Sequence, residues 1–206
     1  MKKILFFGDS ITDASHGNGL GQGYVLLTAA NVGLEFPGEY QVINAGISGN
    51  RVVDLYARIK SDCWNHTPDI ISVLIGVNDV WHEAVRQNGV DARRFENMYR
   101  TLVEDTMQAL PGVKMILLEP FILPGAANDG NWEYFRDEVA IRGAITKKIA
   151  EEFRLPFLPL QERFEKAAEQ TGNPALWLGD GVHPTPAGHK MISDAWVALA
   201  KENGLL

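Results

Sequence analysis

KILFFGDSITD, residues 3–13, is the stretch that decides the fold of this chain. Its apolar run, Ile4 to Phe7, is typical of a buried strand in a parallel sheet. Gly8 and Asp9 favour a turn that ends the strand. Ser10 is therefore expected at the carboxyl end of a strand, where open α/β sheets bind ligands. A serine there can simply cap the next helix, whereas a nucleophile needs a base, an orienting group and oxyanion donors elsewhere in the chain.

The rest of the chain alternates strand-like apolar runs with amphipathic helical ones. Further strands are predicted at 41–44, 70–75, 115–118 and 156–160, the last an edge strand because prolines bound it. Helices are predicted at 24–32, 52–63, 95–110, 141–153, 164–168 and 186–199. This alternation, without repeat or composition break, predicts one domain over residues 1–206, with three α/β/α layers and a mainly parallel sheet. Right-handed crossovers would place every strand exit on one edge of that sheet.

Composition narrows the range of partners. The chain has 206 residues and a net charge of −7, with no basic stripe, which argues against nucleic acid or an anionic membrane as a partner. A single cysteine, Cys63, excludes an internal disulfide and a cysteine-based zinc cluster. The four apolar residues before Gly8 are too few for a secretory signal, which needs about seven to fifteen. A cytoplasmic location is expected, and the oligomeric state stays open, a homo-oligomer included.

Polar residues suited to acyl transfer fall at the predicted strand exits. Ser10, Gly46 and Asn78 each follow a strand, and Asp180 and His183 lie three residues apart on one loop. That spacing lets the carboxylate accept from one ring nitrogen while the other faces Ser10 as a general base. The order Ser, Asp, His is also that of the α/β-hydrolases, but their Gly-x-Ser-x-Gly elbow is missing and the serine comes too early.

Four short blocks resemble those of the SGNH hydrolases, a branch of the GDSL esterase/lipase superfamily. They are Gly8-Asp9-Ser10-Ile11, Ala45-Gly46, Gly76-Val77-Asn78-Asp79 and Asp180-Gly181-Val182-His183-Pro184. All four occur in the family's order and span nearly the whole chain, with Ile11 where the family name has leucine. The resemblance implies a flavodoxin-like, five-stranded sheet ordered 2-1-3-4-5.

The resemblance also implies roles for individual residues. Ser10 would be the nucleophile, His183 the base and Asp180 its orienting acid. The oxyanion would be held by the backbone N–H groups of Ser10 and Gly46 and by the side-chain amide of Asn78. Glycine suits such a role because no side chain blocks its N–H, and asparagine donates without carrying charge.

Local segments around Gly46, Asn78 and Glu119 are similar to intracellular acetyl esterases that act on xylo-oligosaccharides. Candidate substrate-binding residues near the strand exits are Asp9, Trp81, Phe121 and Trp132, with Tyr134 as a further aromatic. Asp9, Asp13 and Asp79 are expected to serve as structural hydrogen-bond acceptors and not as a metal site. The other histidines, at positions 16, 66, 82 and 189, are expected on the surface or rim.

These features predict a serine esterase that removes short acyl groups, most simply acetyl, from a soluble carbohydrate without a metal or cofactor. Two alternatives stay open. One is a lysophospholipase or thioesterase on the same scaffold, which would need an apolar groove for its acyl chain. The other is a carbohydrate-binding protein that has lost catalysis, against which the complete set of catalytic residues argues.

Overall fold

The computed structural model describes residues 1–206 and contains one five-stranded parallel sheet. Its strands are β1 (Lys2–Gly8), β2 (Tyr40–Gly46), β3 (Ile70–Leu74), β4 (Lys114–Leu118) and β5 (Phe157–Leu158). They are ordered β2-β1-β3-β4-β5, and every neighbouring pair is parallel. The predicted flavodoxin-like order is confirmed. All five strands therefore end at one edge, and that edge holds Ser10.

Eight helices connect or follow the strands. They are α1 (Ser10–Asp13), α2 (Tyr24–Glu35), α3 (Val52–Asp62), α4 (Val77–Arg86), α5 (Ala92–Ala109), α6 (Trp132–Phe153), α7 (Gln161–Thr171) and α8 (Pro186–Glu202). Two short 3-10 turns, Trp64–His66 and Pro174–Leu176, complete the elements. No helix combines the length and the apolar character that a membrane crossing requires.

The side chains of β1 alternate between two separate cores, as the period of a strand requires. Ile4 and Phe6 pack on one face with α2, α7 and α8, where the indole of Trp196 donates to Ser72 Oγ at 3.0 Å. Leu5 and Phe7 pack on the other face with α3, α5 and α6. The sheet is thus the middle of three layers, and the predicted layering is confirmed.

Two helices differ from the sequence prediction in a way that matters for the site. Residues 77–86 form α4, where no helix was predicted, and α6 begins at Trp132, nine residues before the predicted start at Ile141. Val77 and Val80 are buried against Phe135 and Val139 of α6, so tertiary packing stabilises a segment whose sequence looks polar. Asn78 consequently lies on a helix and not in a loop.

Candidate active site

Ser10 is the first residue of α1, directly after the turn that ends β1. The helix is capped by Asp9, whose carboxylate accepts from the N–H of Ile11 at 3.0 Å, so the serine hydroxyl is not used as a cap. Gly8 is required because a Cβ there would lie 2.4 Å from Thr12 Oγ1 and 2.6 Å from the carbonyl oxygen of Leu74. The turn thus presents the Ser10 hydroxyl at the sheet edge.

Ser10, His183 and Asp180 form a continuous hydrogen-bonded chain. Ser10 Oγ lies 3.0 Å from His183 Nε2, although the two residues are 173 positions apart. On the other side of the ring, His183 Nδ1 lies 2.7 Å from Asp180 Oδ2. Both distances are within the hydrogen-bond reach that a nucleophile, its base and an orienting acid would need.

Asp180 also builds the loop that carries the histidine. Its Oδ1 accepts from the backbone N–H groups of Val182 at 2.9 Å and His183 at 2.7 Å. Burial pushes the pKa of Asp180 upward, but these hydrogen bonds and that of the imidazole outweigh burial and hold the pKa below its usual value. The carboxylate is therefore ionised at neutral pH, as an orienting group for an imidazolium must be.

The loop at residues 121–131 packs against the turn that begins at Asp180. Leu123 N–H donates to the carbonyl of Gly181 at 2.9 Å, and Ala127 N–H donates to that of Asp180 at 2.8 Å. Gly125 is pressed against the same turn, since a Cβ at this position would lie 2.4 Å from the carbonyl carbon of Asp180. Backbone contacts from this loop therefore hold the Asp180 turn in place.

Asn78 lies in the first turn of α4 and faces Ser10 across a cleft. One hydrogen of its amide is donated to the carbonyl oxygen of Asn50 at 3.1 Å. This contact fixes the amide, and the second hydrogen remains available to the cleft. Asn78 therefore lines the same cleft as Ser10, with one amide hydrogen free.

The prediction for Gly46 is wrong in its choice of residue. Gly46 N–H already donates to Asn44 Oδ1 at 2.9 Å, and Gly46 does not line the cleft. A Cβ at Gly46 would lie 2.3 Å from the backbone nitrogen of Asp13, so this glycine allows the close approach of α1 to β2. Gly49, three residues later, lines the cleft and has φ of +83°, a conformation that favours glycine.

Ser48 holds the loop that contains Gly49 against α1, the short helix that begins at Ser10. Its N–H and its hydroxyl both donate to Asp13 Oδ2, at 3.2 and 2.5 Å. The other oxygen of Asp13 lies 2.7 Å from His16 Nδ1. The pKa of Asp13 is lowered because these hydrogen bonds outweigh its partial burial. Asp13 therefore links α1 to the loop that contains Ser48 and Gly49.

The cleft has a volume of about 390 Å³ and lies at the carboxyl edge of the sheet. Its lining consists of Ser10, Ser48, Gly49, Asn78, Trp81, His82, Val85, Arg86 and His183. A larger cleft of about 470 Å³ lies at the opposite edge, around Lys2, Asp69 and Lys114. That second cleft contains no nucleophile with a base, so the chemistry identifies the smaller one as the candidate active site.

The predicted substrate-binding residues have different outcomes. Trp81 lines the cleft, with its ring centroid 6.0 Å from that of His183.

Phe121 is fully buried and stacks on Phe164 at 4.4 Å, so the prediction that it contacts substrate is wrong. Asp9 is 2% exposed and caps α1, and it too cannot reach the cleft. Trp132, like Trp81, packs against the small apolar cluster that includes Val77 and Phe135, but it does not line the cleft.

The three aspartates near the strand exits act as structural acceptors, as predicted. Asp79 is fully buried and accepts from the N–H of Val52 at 3.1 Å, at the start of α3. Burial raises the pKa of Asp79 well above its usual value and that of Asp9 to about 7. Nowhere in the chain do three acidic, histidine or cysteine side chains converge as metal ligands.

His189 was expected on the surface or rim, but it is half-buried and has a structural role. Its Nδ1 accepts from the N–H of Tyr24 at 3.1 Å, which caps the first turn of α2, and its ring stacks on the Tyr24 ring. Burial, followed by the nearby His183, lowers the pKa of His189 to about 4. A neutral ring is what this acceptor role requires. The sequence offers no signal for it, because the contact joins residues 165 positions apart.

Known proteins resemble this chain along nearly its whole length. The model of the GDSL-like Lipase/Acylhydrolase family matches residues 6–191. A curated acetylxylan esterase from Geobacillus stearothermophilus is 35% identical over 209 residues, covering 95% of this chain and 92% of the relative. The crystal structure of Axe2, an acetylxylan esterase from the same organism, superposes with a TM-score of 0.84 at 33% identity, covering 96% of this chain and 93% of that one. LAE5, an alpha/beta hydrolase enzyme from the metagenome of Lake Arreo in Spain, superposes with a TM-score of 0.84 at 30% identity, covering 97% and 95%.

Proposed function

Because the chain belongs to the GDSL-like lipase/acylhydrolase family and is a carboxylic ester hydrolase, we propose that it removes acetyl groups from soluble carbohydrates through a covalent acyl-enzyme on Ser10. The observation that carries the proposal is the unbroken chain from Ser10 Oγ through His183 to Asp180, with steps of 3.0 and 2.7 Å.

The reaction is a two-step acyl transfer. Ser10 Oγ attacks the ester carbonyl carbon while His183 Nε2 takes the hydroxyl proton. Asp180 keeps the ring in the correct tautomer and stabilises the imidazolium. His183 then gives the proton to the departing alkoxide. In the second step, His183 takes a proton from water as the water oxygen attacks the acyl carbon. The bond from that carbon to Ser10 Oγ then breaks, His183 returns the proton to Oγ, and acetic acid leaves and ionises to acetate. The scheme assigns each proton transfer to these side chains and includes no metal or cofactor.

Three donors are assigned to the oxyanion. The N–H of Ser10 is at the start of α1, where helix geometry leaves N–H groups unpaired. Asn78 supplies its second amide hydrogen, and Gly49 supplies the backbone donor first predicted for Gly46. Gly49 is favoured because it lines the cleft beside Ser10 and because the N–H of Gly46 is already bonded to Asn44. Donors aimed at a developing charge usually contribute the largest part of such catalysis.

An acetylated carbohydrate is favoured as substrate by the relatives and by the cleft. The curated relative and the matched Axe2 structure are acetylxylan esterases. Only two hydrophobic residues, Trp81 and Val85, line the cleft, so it offers no long apolar groove for a fatty acyl chain. The indole of Trp81 offers an aromatic surface for the apolar face of a sugar ring.

The proposal is tested by comparing acyl chains and alcohols on the purified protein. We expect kcat/KM to be highest on p-nitrophenyl acetate and to fall towards the octanoate ester. A real acyl groove would instead raise it steeply, because each buried methylene contributes about 0.8 kcal/mol. We also expect acetate release from acetylated xylo-oligosaccharides to exceed fatty-acid release from lysophospholipid. The reverse order would replace the carbohydrate assignment by the lipid one.

A further inference from the structure

One face of α4 forms a wall of the cleft from its catalytic end outward. Asn78, His82, Val85 and Arg86 recur at helical spacing, with Trp81 beside them, and all five line the cleft. Arg86 is eight residues beyond Asn78, which at 1.5 Å per residue is about 12 Å along the helix axis. The wall thus runs from the oxyanion donor to a guanidinium two turns away.

The charge of this cleft is opposite to that of the whole chain. The chain has a net charge of −7, yet none of the nine lining residues is a carboxylate. Burial, followed by the nearby Arg51 and Arg86, lowers the pKa of His82, so its ring is neutral at pH 7. Arg86 is therefore the permanently charged group on this wall.

Arg86 also has no carboxylate partner. Arg51, Arg58 and Arg142 each form ion pairs with neighbours on their own helix or its cap. No ion pair or side-chain hydrogen bond within the chain involves Arg86, which is exposed. An arginine in the last turn of a helix interacts favourably with the helix dipole, but that effect uses none of its directional donors. Its five N–H donors at the cleft rim remain available for a carboxylate or a phosphate.

We propose that Arg86 binds an anionic substituent of the substrate, a carboxylate or a phosphate, so that the preferred substrates are acetylated sugars that bear such a group. This inference rests on the proposed function, since it presumes that Ser10 and Asn78 mark the reacting ester. The anion belongs to the alcohol part, because an acetyl group held at Asn78 is far too short to span about 12 Å. It would lie beyond the sugar position that carries the acetyl group, on the same sugar or on its neighbour.

The test uses matched pairs of substrates. The first pair is an acetylated xylo-oligosaccharide with a uronic acid branch and its counterpart in which the carboxylate is reduced to the alcohol. The second pair is an acetylated sugar phosphate and the same sugar after removal of the phosphate. For each pair, the ratio of kcat/KM for the anionic over the neutral member is measured, in low salt and in 0.5 M NaCl. The variants are Arg86→Gln and Arg86→Glu, with Arg93→Gln as the control, because Arg93 is exposed on α5, forms no ion pair and does not line the cleft.

We expect a ratio of about two to five in low salt for at least one pair, which is the size of an exposed ion pair. This ratio should become smaller in high salt, because salt screens the ion pair. In Arg86→Gln the ratio should fall to about one, and in Arg86→Glu it should fall below one. The control Arg93→Gln should keep the ratio of the unaltered protein. The pair with the larger ratio identifies the anion.

A ratio near one for both pairs in the unaltered protein, with brisk deacetylation of the neutral sugars, would overturn the inference and leave the proposed function standing. A ratio that Arg86→Glu does not change would also overturn it. Turnover of p-nitrophenyl acetate without deacetylation of any sugar would remove the carbohydrate assignment and the inference together. A merely structural role for Arg86 would alter thermal unfolding but not the ratio.

Discussion

Asp180 contacts His183 twice, with Oδ2 at 2.7 Å from the ring Nδ1 and Oδ1 at 2.7 Å from the backbone N–H. One carboxylate therefore shapes the loop and orients the imidazole. The two contacts are possible because Asp180 and His183 are only three residues apart in sequence, whereas Ser10 is 173 residues from His183.

The two uses of Asp180 are separable by substitution. Asp180→Asn keeps an oxygen for the backbone N–H groups but presents an amide to the ring, which disfavours the required tautomer. We expect kcat to fall by about 10⁴, as for a comparable change in a serine protease, with a melting temperature close to that of the unaltered protein. Asp180→Ala removes both contacts and should also lower the melting temperature. Steady-state kinetics and thermal unfolding of both variants check this, and an Asn variant within tenfold of normal kcat would contradict it.

Asn78 is expected to act mainly in the transition state. Asn78→Ala should lower kcat by about a hundredfold or more with little change in KM. Asn78→Asp has nearly the same shape but presents a negative charge to the oxyanion, so it should be at least as inactive. The two variants are compared by full kinetics on p-nitrophenyl acetate, with circular dichroism as a check on folding. A rise in KM alone would reassign Asn78 to ground-state binding.

Alanine substitutions at two glycines test whether the loop at residues 121–131 supports the Asp180 turn. Gly125→Ala places a Cβ 2.4 Å from the Asp180 backbone, so it should lower both the melting temperature and kcat. Gly33→Ala is the matched control, because no atom lies within 4 Å of a Cβ there. Gly33 lies within α2, where alanine is favoured over glycine by up to about 1 kcal/mol, so this variant should be slightly stabilised and fully active. Equal behaviour of the two variants would contradict the supporting role.

Buried Asp9 makes folding stability depend on pH. Burial raises the pKa of Asp9 from 3.8 to about 7 in the folded protein. The folded state therefore binds the proton more tightly than the unfolded state, and this contribution to stability is full below pH 3.8 and is lost as pH rises to about 7. Asp9→Asn keeps the acceptor for Ile11 N–H but does not ionise. We expect its free energy of unfolding, relative to the unaltered protein, to rise between pH 4 and pH 7. Urea unfolding at both pH values measures this, and a difference independent of pH would contradict the account.

The strand exits and the loop that contains Asp180 and His183 could be predicted from the sequence, because both depend on local patterns. The apolar run before Gly8 and the spacing of Asp180 and His183 are readable without tertiary information. The helix at Val77–Arg86 could not be predicted from local patterns, because Asn78 and Asp79 favour a turn by propensity and only packing on α6 stabilises the helix. The spacing of Val77, Val80 and Ala84 was the available signal.

The choice between Gly46 and Gly49 depends on the fold. Gly46 ends β2 and Gly49 lies three residues beyond it, and either N–H could be an oxyanion donor by sequence alone. Their difference arises from the side chain of Asn44, which occupies the N–H of Gly46, and from the positive φ of Gly49. Phe121 illustrates the same limit, since an aromatic residue beyond a strand exit can equally face the core.

The most direct test of the central claim is to identify the residue that becomes acylated. The protein is mixed rapidly with p-nitrophenyl acetate, quenched in acid and digested, and the peptides are analysed by mass spectrometry. His183→Ala, Ser10→Ala and the unaltered protein are treated alike, with a serine-directed fluorophosphonate as a second label. We expect acetyl and phosphonyl groups on Ser10 in the unaltered protein, none at that position in Ser10→Ala, and strongly reduced labelling in His183→Ala. Acetylation of another residue with normal turnover in Ser10→Ala would contradict it.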